Sequence, residues 1–564
     1  VETPHIAALG IGLAVWGNRP EAFRLAKAIV EGRLNLPTPV LNGCRNGDFD
    51  TISCCVITGG DSVDSIGVAT HIAYKMTAKK AGIGIEMDTR SVGSKVKKGA
   101  VKHLGKQPIY ATVDRAVKMF TQISRGGSAT VTYKCIDPDI ESLILLKSQR
   151  TPENLRLDKL DYSFAYCDAF VHAVEHDLDW FLFDLKDCPE AHVSIYQKRT
   201  YGYFKALSER AKHKVIKARS LLKLFLQTRT ETGRVYCINL TRANVHTPFI
   251  DTIRLSNLCQ EICLPTKAYT SMSDLYSPVS EGETAFCSLA AVNVSRCIEH
   301  SVHEETADIA LRTVDRLIDL APMMTDSMAE TIRKRRSVGI GITGLAGMLY
   351  KLGMDFDGQR SSKELVQFIA ARHYYFLLQT SQKMVEEGFD PCEGIDEQWL
   401  PTDTMRNKWI GEALDFEHLR GKPRRNSVLV AHMPTESSAV FSDATNGLYP
   451  VRKRVVTKTS RTGQVQYIAP EGNYKLAWEI PNNVLAKYYG LVQDFTDQAI
   501  SADYYIDFSK FKDGKASLAQ LMREWVYQAR VGNKTMYYQN TNDYTGGSVQ
   551  NFIQAEEGCE SCKL

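Results

Sequence analysis

The chain has 564 residues, long enough to bury a large core as one big barrel with attachments or as several domains. Its composition, 44% hydrophobic and 24% charged, is that of an ordinary soluble globular protein, and a net charge of +4 excludes a polycationic nucleic-acid surface. No secretory signal is visible, and the apolar run "HIAALGIGLAVW" is too short to span a bilayer. Fourteen cysteines without secretory features point to a reducing, cytoplasmic compartment, where thiols serve chemistry or packing.

In chain order, "NRPEAFRLAKAIVEG" predicts a helix, with Pro20 in its first turn, one apolar face and Gly32 past its end. "LPTPVLNG" breaks it. "SATVTYKCI" (128–136), "GRVYCINLT" (233–241) and "NSVLVAHMP" (426–434) read as strands. Between them lie helical stretches such as "TADIALRTVDRLIDL", which puts Leu311, Val314 and Ile318 on one face. Strands separated by helices predict an α/β body with parallel pairing. After "KTMYYQN" the sequence turns polar and ends in "EEGCESCKL", which reads as a mobile tail.

Several short stretches carry possible chemistry. "NLCQEICLPT" (257–266) places Asn257, Cys259 and Glu261 at alternate positions, so a strand would point all three the same way. Read alone, it is a buried structural cysteine beside an exposed acid. "VGIGITG" matches G-x-G-x-x-G at Gly339, Gly341 and Gly344, with Asp355 and Asp357 downstream. It follows the helix-like "MAETIRKRRS" rather than a strand, so close helix packing is expected in place of dinucleotide binding. "MPTESSAVFSDATNG" offers Thr435, Ser437 and Ser438 after a strand, as a phosphate cradle or a plain capping box.

Cys559 and Cys562 form a terminal C-x-x-C that reads as a redox pair rather than half of a zinc site. No metal-ligand cluster is expected in this chain. Adjacent Tyr537 and Tyr538 are, by themselves, a packing pair.

Together these stretches, with "SCCVITGGDSVDSI", "AGIGIE", "ETAFCSLAAVN" and "GNKTMYYQNT", resemble the large (α) subunit of class I ribonucleotide reductase, in the family's order along nearly the whole chain. The resemblance implies a ten-stranded α/β barrel whose central finger loop carries "NLCQE", so the strand-end picture of that stretch gives way to a loop. It implies a helical N-terminal segment at 1–50, the barrel at 51–470, an α/β region with the tyrosine dyad at 471–545 and a redox-active tail at 546–564. It also implies that the family's N-terminal ATP-sensing domain is missing before "VETPHIAALG".

For the chemistry, the resemblance implies a thiyl radical on Cys259 that removes the ribose 3' hydrogen of a ribonucleoside diphosphate. Glu261 is then the general base and Asn257 a sugar-binding amide, with Cys54 and Cys287 as the reducing dithiol. Cys55 is a second thiol in "SCC"; register against "GDS" favours Cys54. Cys263 is expected in the core. Thr38, Ser53, Thr435, Glu436, Ser437 and Ser438 are implied to hold the substrate, and Asp61, Ser62 and Arg90 the specificity effector, a deoxynucleotide or ATP. Gln149, Arg150 and Arg156 of "SQRTPENLR" are implied to link the effector to the substrate base.

Tyr537 and Tyr538 would receive the radical from a separate metal-containing small (β) subunit, and Cys559 and Cys562 would pass electrons from thioredoxin or glutaredoxin. A homodimer is implied, with no membrane or nucleic-acid partner and no cofactor bound directly to this chain. Two alternatives remain in view. A cobalamin-dependent class II reductase would not need the tyrosine dyad, and a catalytically silent regulatory paralogue would be expected to lose thiols or the base.

Overall fold

The computed structural model describes residues 3–119, 127–409, 414–460, 463–511 and 516–542. Its centre is a nine-stranded sheet. In chain order the strands are β1 (Leu34–Asn35), β2 (Cys54–Gly59), β3 (Gly82–Met87), β4 (Ala129–Lys134), β5 (Asp161–Tyr166), β6 (Val235–Asn239), β7 (Ala285–Asn293), β8 (Val338–Thr343) and β9 (Thr535–Met536). β2, β3, β4, β5 and β6 form one continuous parallel ladder, and all their residues are buried. Strands covered on both faces are rich in apolar residues for that reason. Helix Val63–Ala78 packs on β2 and β3 from outside.

β7 joins this half antiparallel to β2 and carries β8 parallel on its other side. Beyond β8 the expected strand at 426–434 is absent from the ladder as a regular element. Segment 428–433 does run beside β8, where the Ile340 amide donates to Leu429 O at 2.8 Å. However, the amides of Leu429 and Val430 donate to the Asp497 carboxylate, at 2.8 and 2.9 Å, so a side chain intercepts the backbone pairing. Segment 498–502 follows: His432 bridges Ile500 in parallel, and the Ser501 amide donates to His432 O at 2.9 Å. Tyr537 N then donates to Ala502 O at 2.8 Å, and β9 pairs antiparallel with β6. Eight strands and these two segments therefore close a ring of ten. The ring reaches past residue 470, and β1, from the N-terminal segment, pairs with β7.

Around the ring, helices Pro4–Trp16, Pro20–Val30 and Thr38–Asn46 gather at the N-terminus, and His303–Leu320 packs on β7 with Leu311, Val314 and Ile318 buried. The glycine run "VGIGITG" is mostly strand β8, which corrects the expectation of helix packing. A Cβ on Gly341 would come within 2.7 Å of Ala431 O, so glycine there lets segment 428–433 lie close. Among the described residues, no helix is long and apolar enough to cross a membrane.

Candidate active site

Residues 256–263 form a loop inside the ring, touched by strands from both halves. A Cβ on Gly84 of β3 would stand 2.2 Å from Ser256 O, so only glycine lets the loop pass. Thr130 of β4 donates to Leu258 O at 2.9 Å, and Ser163 of β5 donates to the Gln260 amide oxygen at 2.7 Å. From the other half, Ala499 N donates to Glu261 O at 2.9 Å and Ser501 Oγ to Cys259 O at 2.6 Å. Gln260 takes a left-handed conformation at φ 68°, unusual for a side chain with a Cβ, and its amide secures the turn by donating to Asn257 O at 2.8 Å.

This turn gathers Asn257, Cys259 and Glu261 with a thiol from β2. Asn257 Oδ1 accepts from Ile262 N at 3.1 Å, which fixes the amide so that Nδ2 points to Glu261 Oε1 at 2.9 Å and Cys54 Sγ at 3.1 Å. Cys54 Sγ lies 3.7 Å from the same Oε1, and Ser501 Oγ lies 3.0 Å from Oε2. Burial pushes the Glu261 carboxyl up to about 7, against hydrogen bonds from Asn257, Ser501 and Cys54 that favour its charged form. A carboxyl poised there can both take and give a proton near neutrality.

The register of β2 on β7 sets Cys54 directly opposite Cys287, and Cys55 opposite Phe286. Directly opposed antiparallel residues have α-carbons about 4.5–5.5 Å apart, within the span of a disulfide. Alternation along β2 turns Cys55 to the other face. Cys54 and Cys287 are both reduced thiols, and burial holds Cys287 far above the ordinary thiol range. Cys263 is fully buried, its thiol pushed up to about 11 by burial.

A cleft of about 720 Å³, counting its open mouth, lies over these groups. Cys54, Asn257, Cys259 and Glu261 form its floor, and Thr38, Ser53, Thr435, Ser437 and Ser438 line it as well. Ser53 Oγ and both polar atoms of Asn35, another lining residue, make no hydrogen bond within the described residues. The Thr435 hydroxyl is engaged internally, with Thr343 Oγ1 at 2.7 Å and Gly447 N at 2.8 Å, and it caps no helix. Glu436 does not line the cleft; Arg452 holds it at 2.6 Å.

On the far side of the loop, Cys259 shares a small buried cluster with Leu258, Tyr236 and Tyr537. The Tyr537 and Tyr538 rings lie 4.0 Å apart between centroids, and Tyr236 lies 4.7 Å from Tyr537. Aromatic rings thus lead from the thiol toward half-buried Tyr538.

A sequence model of the family described as "Ribonucleotide reductase, barrel domain" matches residues 52–472. The chain belongs to the ribonucleotide reductase family. It is 33% identical to the ribonucleoside-diphosphate reductase subunit alpha of Haemophilus influenzae, over 94% of this chain and 73% of the relative. Ribonucleoside-diphosphate reductase 1 subunit alpha of Escherichia coli is 32% identical, over 100% of this chain and 78% of the relative. The subunit alpha of Enterobacteria phage T4 is 30% identical with the same coverage, 100% and 78%.

The other residues singled out from the reductase resemblance lie outside this cluster. Arg90 grips Asp61 through Nε at 2.8 Å and Nη2 at 2.6 Å. The Ser62 hydroxyl caps helix Val63–Ala78, accepting from Ser65 N at 3.1 Å. Gln149 accepts from Arg156 at 2.6 Å, while Arg150 pairs with Glu231 at 3.6 Å and donates to Thr228 at 3.2 Å. The Arg150 contacts tie the 148–156 loop to helix Ala218–Thr232. Cys559 and Cys562 lie outside the described residues.

The expectation of no metal-ligand cluster overlooked an H-x-x-x-H pair. His172, Glu175 and His176 have donor atoms within 4.8 Å of one another, because a helix brings positions three and four apart together. Arg530 Nε already holds the Glu175 carboxylate at 2.7 Å. Sequence reasoning also missed Ser501, Gln498 and Tyr236. Gln498 Nε2 reaches Cys287 Sγ at 3.8 Å, and its Oε1 accepts from Cys263 N at 3.2 Å. Nothing in "DQAISADYY" distinguishes these side chains from ordinary core residues; only Tyr236, inside a predicted strand, had a placeable position.

Proposed function

We propose that this chain is the catalytic subunit of a class I ribonucleoside-diphosphate reductase. The observation that carries the reading is that Cys54, set opposite Cys287 by strand register, lines one cleft with Cys259 and with a carboxyl at about 7. A thiyl radical on Cys259 removes the 3' hydrogen of the substrate ribose. Glu261 takes the 3' hydroxyl proton, held in line by the Asn257 amide, and the 2' hydroxyl leaves as water with a proton from the dithiol. Cys54 and Cys287 supply two electrons and close to a disulfide, and Cys259 returns hydrogen to the 3' carbon. The balance is ribonucleoside diphosphate plus dithiol to deoxyribonucleoside diphosphate, water and disulfide.

The hydroxyls of Thr38, Ser53, Ser437 and Ser438 suit the diphosphate and sugar. Thr435 shapes the cleft through its internal bonds, and Glu436 orients Arg452 rather than touching phosphate. Tyr538 and Tyr537 carry the oxidising equivalent inward to Cys259, from a radical supplied by a metal-containing small subunit. Asp61, Ser62 and Arg90 take the specificity effector, with Gln149, Arg150 and Arg156 relaying it. Cys559 and Cys562 re-reduce the disulfide at the expense of thioredoxin or glutaredoxin, and the catalytic unit is a homodimer in the cytoplasm.

The test is turnover of the full chain with a small subunit. Cys259→Ser is expected to bring reduction to background while nucleotide binding persists, because a hydroxyl cannot supply a comparable radical. Substantial turnover by that variant would reject the reading, and turnover of the unmodified chain driven by adenosylcobalamin alone would move it to class II.

A further inference from the structure

Ser501 stands against both the carboxyl of Glu261 and the backbone of Cys259. It is fully buried, and its backbone is held on both sides: its amide donates to His432 O at 2.9 Å, and its carbonyl accepts from Tyr449 Oη at 2.6 Å. The hydroxyl rotor is its one remaining freedom. That hydroxyl has a single hydrogen and two neighbours, Cys259 O at 2.6 Å and Glu261 Oε2 at 3.0 Å.

A carbonyl only accepts, so the shorter contact requires Ser501 to donate to Cys259 O. The contact to Oε2 is then a hydrogen bond only if the carboxyl carries the proton on Oε2. The other carboxyl oxygen cannot take that role as easily. Oε1 accepts from Asn257 Nδ2 at 2.9 Å, and Ile262 N locks that amide in place at 3.1 Å.

We propose that Ser501 is a positioning residue for the proton of Glu261: its hydroxyl bonds the Cys259 carbonyl when Glu261 is neutral and turns to Oε2 when Glu261 is ionised. This rests on the reading of Glu261 as the base. No electrons move. The proton taken from a substrate hydroxyl comes to rest on Oε2, donates to Ser501 Oγ, and frees the serine hydrogen to return to the carbonyl of the residue that bears the thiol. Protonation of the base therefore tightens the loop at Cys259, and ionisation loosens it. Burial that holds the carboxyl at about 7 keeps both arrangements accessible near neutral pH.

Isotope-edited infrared titration of the full chain tests this without requiring turnover. The Glu261 carboxyl band is identified by its loss in Glu261→Gln. Its midpoint is expected at about 7 in the unmodified protein. The proposal couples that titration to the loop: with a carbon-13 label at the Cys259 carbonyl, its amide I band is expected to move to higher frequency as Glu261 ionises and the serine hydrogen leaves it, with the same midpoint as the carboxyl. Ser501→Ala should leave the Cys259 band independent of that titration, and Ser501→Thr should keep the coupling. A Cys259 band that ignores the Glu261 titration in the unmodified protein, or still follows it in Ser501→Ala, overturns the proposal. If Ser501→Ala does not fold, Ser501→Cys, nearly the same size and a weak donor, should weaken the coupled shift, and an undiminished shift overturns the proposal equally. Failure of the base assignment reads out separately, as undiminished turnover by Glu261→Gln.

Discussion

In the first half of the barrel, from Cys54 to Asn239, five parallel strands share an unbroken backbone ladder. In the second half the regular ladder runs through β7 and β8, and beyond them backbone pairing is intermittent and side chains interrupt it: Asp497 takes the amides of Leu429 and Val430, and Lys534 Nζ donates to His246 O, Asp497 O and Gln498 O, each at 2.6 Å. The regular strands reach the loop with short hydroxyls, Thr130 on its backbone and Ser163 on Gln260. The irregular half turns Gln498 and Ser501 inward, where they reach Cys287, Glu261 and the Cys259 carbonyl. The regular half provides a rigid wall with a gap at Gly84, and the irregular half provides the groups that set the chemistry of the loop passing through it.

Closing that gap is expected to give the largest effect. In Gly84→Ala the new Cβ meets backbone at 2.2 Å and the loop must shift. A displacement of about 1 Å costs roughly a hundredfold in rate, and overpacking costs about 1–3 kcal/mol. Steady-state turnover and urea unfolding measure both; near-normal turnover would mean that the wall is not what sets the loop.

The second half is best broken at its side-chain bridge. Asp497→Asn replaces one of two accepting oxygens with a donor facing an amide, which should cost about 2–4 kcal/mol by urea unfolding. A loss below about 1 kcal/mol would show that the backbone of 428–433 supports itself.

Each half also buries a histidine, and acid should weaken both alike. His192 Nε2 lies 2.7 Å from Phe183 O, and His373 Nε2 lies 2.9 Å from Ile340 O. Burial lowers each from 6.5 to about 4. A lowered histidine favours the neutral form in the folded state, so its contribution is complete above pH 6.5 and is lost as pH falls from 6.5 to about 4. The cost is about 3 kcal/mol per residue on the scale of about 1.4 kcal/mol per unit. His192→Gln and His373→Gln should each remove part of that slope in denaturant midpoints measured from pH 7 to pH 4.

The smallest expected change in stability lies at the rim. Arg90→Ala removes a partly exposed ion pair with Asp61 and should cost under about 1 kcal/mol. On the proposed reading it should still flatten the dependence of base choice on the bound deoxynucleotide, measured with mixed substrates at limiting and saturating effector.

Apolar runs bounded by glycine and proline were enough to anticipate the helices found at 20–30 and 303–320 and the strands found within 128–136 and 233–241, because those elements bury a face that local pattern records. Pattern failed at 426–434, where apolar residues are buried without a strand because Asp497, 68 positions beyond Leu429, occupies the amides. It failed again at "VGIGITG", where a strand has glycines to admit Ala431, a neighbour that no local rule could name. Cys259, Glu261, Asn257, Cys54 and Cys287 were singled out by the resemblance to the reductase family; their residue types alone read as core thiols beside an exposed acid.

The family resemblance favoured Cys54 of "SCC", and tertiary structure supplied the physical reason: the register of β2 on β7 sets Cys54 opposite Cys287, and a slip of one residue would have put Cys55 there. Tertiary structure alone decided that Glu261 sits at about 7, because burial and three partners drawn from β2, the loop and segment 498–502 set that balance. It alone brought Ser501 to both the base and the thiol-bearing loop, across 240 positions of sequence. Local sequence encodes which face of an element is apolar. The protonation and placement of a buried polar group depend on what closes around it, and that is fixed only when the ring closes.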